Sequence, residues 1–108
     1  MYYYKKAADL GDAGAYNNLG VMYANGKGVA KSYSTARSYF QKAADMGNKI
    51  ACNNVAVYYE DGTGGAKDKY QALKYYKKAC DLGNKDGCEN YQRLKNEMGI
   101  TNYDAVLF

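Results

Sequence analysis

The chain repeats itself every 36 residues. Lys77-Lys78-Ala79-Cys80-Asp81-Leu82-Gly83-Asn84-Lys85-Asp86-Gly87-Cys88 has a copy 36 positions earlier, QKAADMGNKIAC (Gln41 to Cys52), and another 36 before that, KKAADLGDAGAY (Lys5 to Tyr16). A fixed period of this length restricts a chain to a stack of like supersecondary units, because no single unit can bury its apolar face alone. In each copy an apolar-periodic segment runs into glycine followed by Asn or Asp: Gly11-Asp12, Gly47-Asn48, Gly83-Asn84. Glycine provides the left-handed stop of one helix, and the short polar residue caps the next. The repeated stretch is a corner between two helices.

Between corners, the apolar spacing predicts a helix pair. Tyr2 to Leu10 reads as the tail of a helix. Ala13 to Asn25 is the next, with Ala15, Leu19 and Tyr23 inward and Gly20 beside them. Gly26-Lys27-Gly28-Val29 is a turn, and a helix follows from about Tyr33 to Met46 with Ala36, Tyr39, Phe40 and Ala43 inward. The cycle returns with Ala51, Val55 and Tyr59, the turn at Gly62 and Gly64, and a helix carrying Ala72, Tyr75, Tyr76 and Ala79. There Asp68 and Gln71 are spaced as a capping box. A last helix runs from Lys85 to about Met98 and stops at Gly99. We term the helix after each Gly-Asn/Asp corner A and the helix after each glycine-rich turn B. Gly20 and Ala56 share one repeat position, where a small residue lets the A and B backbones approach. Gln92 and Lys95 stand where earlier A helices have Gly20/Ala56 and Tyr23/Tyr59, as expected of a terminal helix whose outer face meets water. The expectation is an all-α, right-handed α/α solenoid of about six helices. Its parts are a partial repeat at 1–11, repeats at 12–47 and 48–83, a capping helix at 84–99 and a tail at 100–108.

At 108 residues the chain fits one domain. It has no proline, as suits helices, and no histidine, which removes the commonest general base and metal ligand. The net charge of +4 is spread out and does not imply nucleic acid. Lys5, Lys6, Lys42, Lys74, Lys77 and Lys78 read as a solvated B face. Tyr2, Tyr3, Tyr4, Tyr39, Tyr75 and Tyr76 read as core rather than a base-stacking platform. No apolar run approaches the roughly 20 residues of a membrane span.

The segment AYNNLGVMYANGKGV followed by ARSYFQKAADMG resembles a Sel1-like repeat, a relative of the tetratricopeptide repeat. The resemblance extends nearly to Met98. YYKKACDLGNKDGC further resembles the Helicobacter cysteine-rich proteins, a secreted branch of that family. Gly65 departs from the pattern, standing where the previous repeat has Val29. Ala8 and Ala44 stand where that branch would have cysteines.

Cys80 falls in the last turn of a B helix and Cys88 in the first turn of the following A helix. A tight antiparallel corner brings such positions within disulfide reach. A small oxidised domain gains from such a staple, and the alternative is two buried free thiols. The pair points to a secreted or periplasmic location, with the cytoplasm as the alternative. Cys52 is the equivalent of Cys88 with Ala44 opposite it. It reads as an unpaired cysteine, either a small buried residue or a thiol able to bridge two molecules. Zinc is excluded by the missing histidine, the spacing and the lack of a fourth ligand. No cofactor is expected.

On the A helices, the side opposite the packed stripe carries Gly14, Asn18, Val21 and Asn25, then Ile50, Asn54, Val57 and Asp61, then Asp86, Asn90, Arg93 and Glu97. Asn17 and Asn53 lie at its edge. In a helix-pair solenoid the A helices line the concave wall. Asn18, Asn54 and Asn90 then form a ladder of amides, each both donor and acceptor. The resemblance implies a protein- or peptide-binding scaffold. Its asparagines would hold a peptide main chain or terminal carboxylate, Val21 and Val57 would take a side chain, and Arg93 would add charge. Against this, the asparagines could instead bridge neighbouring helices. The competing class is the β-lactamase or penicillin-binding label attached to the cysteine-rich branch. A serine enzyme of that kind needs S-x-x-K, and none of Ser32, Ser34 or Ser38 has lysine three residues on. The glycine turns follow helices and lack GK[ST], so they are not phosphate loops. The tail, apolar at Val106, Leu107 and Phe108, is expected to fold back over the last helix or to dock on a second copy.

Overall fold

The computed structural model describes residues 12–100. Among them are five helices of equal length: α1 (Ala13–Asn25), α2 (Tyr33–Asp45), α3 (Lys49–Asp61), α4 (Lys69–Asp81) and α5 (Lys85–Glu97). Helices α1, α3 and α5 are the A helices; α2 and α4 are the B helices. Each A helix starts 36 residues after the previous one, as does the second B helix. The helices adjoin in chain order, and α3 also touches α5. The result is an elongated α/α solenoid of 47 × 23 × 19 Å. The expected first helix at 2–10 and the tail beyond Ile100 lie outside the described residues.

The corners are built alike. At the end of α2 the Gly47 N–H donates to Ala44 O and the Asn48 N–H to Ala43 O, both at 3.0 Å. This double bond pattern satisfies the orphan carbonyls of the last turn and needs a left-handed residue, which is Gly47 at φ 93°. The Asn48 side chain then accepts from Ala51 N–H at 2.9 Å and opens α3. At the second corner Gly83, at φ 97°, and Asn84 repeat the arrangement. The turns from A to B close differently. Ser32 N–H donates to Tyr23 O and Asp68 N–H to Tyr59 O, at 2.9 and 2.8 Å. The Asp68 side chain accepts from Tyr70 and Gln71 N–H, so it is an N-cap. The reciprocal half of the expected capping box is replaced, because the Asp68 N–H is committed to Tyr59 O.

The core follows the inward stripes. Ala36, Phe40, Ala43, Ala51, Val55, Ala72, Tyr75, Tyr76 and Ala79 are buried, and Tyr23, Tyr39 and Tyr59 pack against them half-buried. Tyr23 stacks on Tyr39 at 5.6 Å between centroids, and one repeat on Tyr59 stacks on Tyr75 at 5.9 Å. Gly20 is small for a steric reason: a Cβ there would sit 2.6 Å from the Phe40 ring. Lys95 corrects an expectation. It does not face water but is 6% exposed, its ammonium 5.8 Å from the Tyr91 ring centroid. A lysine stem can line a core while its charged tip finds polar company. Gln92 is exposed, as expected, and donates to Asn96 at 3.1 Å. Leu94, fully buried, anchors this last helix.

A close approach is made at the last corner, where Gly87 is buried against α4. A Cβ on Gly87 would lie 2.6 Å from Ala79 Cβ and 3.1 Å from Cys80 N. The equivalent A-helix positions, Ala15 and Ala51, hold alanine, so one methyl group distinguishes this interface. Gly87→Ala is therefore expected to lower stability by about 1–3 kcal/mol through overpacking. Urea unfolding of the oxidised protein should show a lower midpoint with an unchanged slope.

Candidate functional site

Most residues that the spacing placed on the solvent side of the A helices are exposed, while Val57 packs partly buried against the core. Asn18, Asn25, Asp61, Asp86, Arg93 and Glu97 are exposed, and Asn54, Val57 and Asn90 are half-buried. Two aliphatic side chains stand in water on this face, Val21 at 39% and Ile50 at 50% exposure.

The amides do not stand alone. Asn54 Nδ2 donates to Asn17 Oδ1 at 3.1 Å, and Asn90 Nδ2 donates to Asn53 Oδ1 at 3.0 Å. Each bond joins one A helix to the A helix before it, across one repeat plus one residue. The asparagines therefore do bridge neighbouring helices, and the ladder is a double row: Asn17 and Asn53 accept, Asn54 and Asn90 donate. An asparagine side chain can make about four hydrogen bonds, and these pairs use one per residue. The sequence placed Asn17 at the edge of the face, whereas it is 8% exposed. The adjacent asparagine pairs at 17–18 and 53–54, read as a doublet rather than as single positions, are the signal that could have found this arrangement.

Arg93 is also committed. Its guanidinium binds both oxygens of Glu60, at 2.7 and 2.9 Å, and one oxygen of Glu97 at 3.0 Å. Tyr76 donates its hydroxyl to Glu60 at 2.8 Å. The arginine hydrogen bond holds the Glu60 carboxyl below its ordinary value, burial opposes this, and the Tyr76 hydroxyl adds to the lowering. Burial, and then the bond to Glu60, pushes the Tyr76 phenol up. Arg93 therefore ties α5 to α3 and contributes its charge to the face in neutralised form.

Cys80 and Cys88 form a disulfide, with Cα atoms 4.4 Å apart. Cys52 is free and fully buried, its thiol 3.6 Å from the Ala44 carbonyl. Burial pushes that thiol's pKa up, so it is a packed small side chain and not a group able to reach a second molecule. Among the described residues no group of His, Cys, Asp or Glu is arranged to hold a metal ion.

Two outcomes follow from these contacts. Ala44 and Cys52 occupy the positions of Cys80 and Cys88 one repeat earlier, so Ala44→Cys should close a second disulfide. Thiol titration under denaturing, non-reducing conditions should find one thiol in the parent protein and none in the variant. The bridge should add about 2.5 kcal/mol of stability. Glu60 is depressed on folding, so its stabilising contribution is present above its unfolded pKa of about 4.3 and is lost as pH falls through the folded value. Denaturation of the parent and Glu60→Gln should differ most near neutral pH, and the difference should shrink as pH falls through the lowered folded pKa.

Comparison with known proteins agrees with this architecture. The Sel1 repeat family matches residues 1–12, 13–48 and 49–84. A Sel1 repeat protein from Oxalobacter formigenes is 36% identical with a TM-score of 0.83, over 85% of this chain and 69% of that one. Helicobacter pylori cysteine-rich protein B is 34% identical with a TM-score of 0.79, over 82% and 66%. A protective antigen of uropathogenic Escherichia coli displaying an SLR fold is 32% identical with a TM-score of 0.86, over 97% of this chain and 23% of that one. Among curated proteins none matches. Sel1 repeat proteins are in general non-enzymatic scaffolds for protein–protein interaction. By matched repeats, helix spacing and structural likeness alike, this chain belongs to the Sel1 repeat family.

Proposed function

We propose that the A-helix face is a concave groove that grips an extended peptide segment of a protein partner. One observation carries this reading: a regular double row of amides runs across three helices beside exposed Val21 and Ile50. Val21 and Ile50 are exposed aliphatic side chains that a partner could cover. Asn18, Asn54 and Asn90 retain donors and acceptors for a peptide main chain, at a spacing of one helix pair. Val21 and Val57 offer apolar contact. Asn25 and Asp61 bound the groove at the C-terminal ends of α1 and α3. Arg93, paired with Glu60 and Glu97, shapes the far end rather than presenting a bare cation.

The disulfide and the likeness to a cysteine-rich Helicobacter protein support action in an oxidising compartment, secreted or periplasmic. Among the described residues no helix is long and apolar enough to cross a membrane.

The test is selection of displayed random peptides on immobilised protein, followed by fluorescence polarisation of the enriched sequences. Asn18→Ala with Val21→Asp alters exposed residues outside the core and should weaken binding at least about tenfold (1.4 kcal/mol). Absence of enriched peptides, or equal binding by this variant, would sink the groove assignment.

A further inference from the structure

A second site lies off the A face, where α2 meets the turn between α3 and α4. Ser34, Arg37, Ser38 and Gln41 of α2, with Tyr59 and Gly64, line a depression of about 430 Å³. That is within the range of roughly 300–1,000 Å³ common to small-ligand sites. The Arg37 guanidinium lies over the Tyr59 ring, its Cζ 4.1 Å from the centroid. Its Nη1 donates to Thr63 O at 3.4 Å. Of five guanidinium N–H donors this long bond uses one, and Arg37 forms no ion pair with any described carboxylate. Tyr59 is held in turn, donating its hydroxyl to Gln41 Oε1 at 2.8 Å. Two serine hydroxyls stand beside the cleft. Ser38 donates to Ser34 O at 3.2 Å, and Ser34 Oγ lies 3.3 Å from Ser32 Oγ.

The cleft exists because two repeat positions depart from the pattern together. Where α2 has Arg37, α4 has Leu73, and where the first turn has Val29, the second has Gly65. A Cβ on Gly65 would sit 2.6 Å from Arg37 Nη1, so glycine there clears the space the guanidinium fills. A half-buried arginine stands where the following repeat buries leucine, and a glycine where the preceding turn has valine. Two departures that meet in one place and leave unspent donors fit a recognition role.

We propose that this cleft binds a single carboxylate of a peptide or protein partner. A guanidinium held over an aromatic ring keeps N–H donors at its edge, and such an edge matches a planar carboxylate with two parallel hydrogen bonds. One cation lines the cleft, which suits a monoanion, whereas a phosphate dianion would call for a second. A Glu side chain and a chain terminus both present this carboxylate chemistry.

The test is nuclear magnetic resonance titration of the ¹⁵N-labelled full chain at matched ionic strength. Four probes are used: the capped peptide Ac-Ala-Ala-Glu-Ala-Ala-NH₂, its Gln analogue, Ac-Ala-Ala-Ala-Ala with a free C-terminal carboxylate, and inorganic phosphate. Saturable shifts at the Arg37 Nε–H and the Ser34, Ser38, Gly64 and Gly65 amides are expected with the Glu peptide, the free-carboxylate peptide or both. Which of the two responds identifies the source. Arg37→Leu, the residue of the next repeat, should weaken the response at least about tenfold, and Gly65→Val should do the same by refilling the space. Arg37→Lys, which keeps the charge but not the fork, should fall between parent and Arg37→Leu. The proposal is overturned by a saturable response to the Gln analogue as strong as that to either carboxylate peptide, by tighter phosphate binding, by undiminished binding to Arg37→Leu, or by no saturable shift with either carboxylate peptide. Asn18→Ala with Val21→Asp should leave these shifts unchanged, so failure here and failure of the groove are separable.

Discussion

The structure depends on the hydrogen-bonded corner that ends each B helix. Gly47 and Gly83 turn the chain through a left-handed residue, two backbone bonds seal the last carbonyls, and the following asparagine starts the next helix with its side chain. Stopping one helix and starting another within two residues leaves no slack between units. Each described corner therefore joins its units through the same bonds, and a short stretch of sequence propagates into a stack. Ala44 O shows how fully the corner is used, since it also accepts from the Cys52 thiol and from Lys78 Nζ of the next B helix at 2.9 Å. A cation near a helix C-terminus meets the negative end of the dipole, so the same carbonyl stabilises a neighbouring repeat.

Lateral contacts then decide how rigid the stack is. On the B side, Tyr59, Gln41, Tyr75 and Asp45 form one chain of hydrogen bonds across two repeats. On the A side, asparagine pairs link α1 to α3 and α3 to α5. At the end, Tyr76, Glu60, Arg93 and Glu97 tie α3, α4 and α5 together. Each network is satisfied internally, and among the described residues no buried side-chain polar atom lacks a partner. A wall ordered beforehand would lower the ordering cost of the peptide binding proposed above.

Departures from the repeat carry the information about function and local stability. Gly87 in place of alanine admits the close corner that the disulfide spans. Arg37 and Gly65 meet in a cleft, at positions that hold Leu73 in the following repeat and Val29 in the preceding turn. Lys95 in place of tyrosine keeps a place in the interior, against the expectation that a polar residue there must face water. These substitutions are visible in an alignment of the chain with itself. Their consequences are not, since each depends on what a different repeat brings opposite.

The 36-residue period, the Gly-Asn corners, the inward stripes, the Cys80–Cys88 bridge and the exposed side of the A helices were all determined by local sequence. Each rests on backbone geometry or on residues close along the chain, and helical spacing converts directly into faces. Only the tertiary structure decided that Asn54 and Asn90 spend a donor on the helix before them, that Arg93 is claimed by Glu60, and that Arg37 lies over Tyr59. Those partners are 22 to 37 residues apart. Periodicity says that two repeats touch; which side chains meet depends on the offset between stacked helices, and that offset is set by packing across the whole interface.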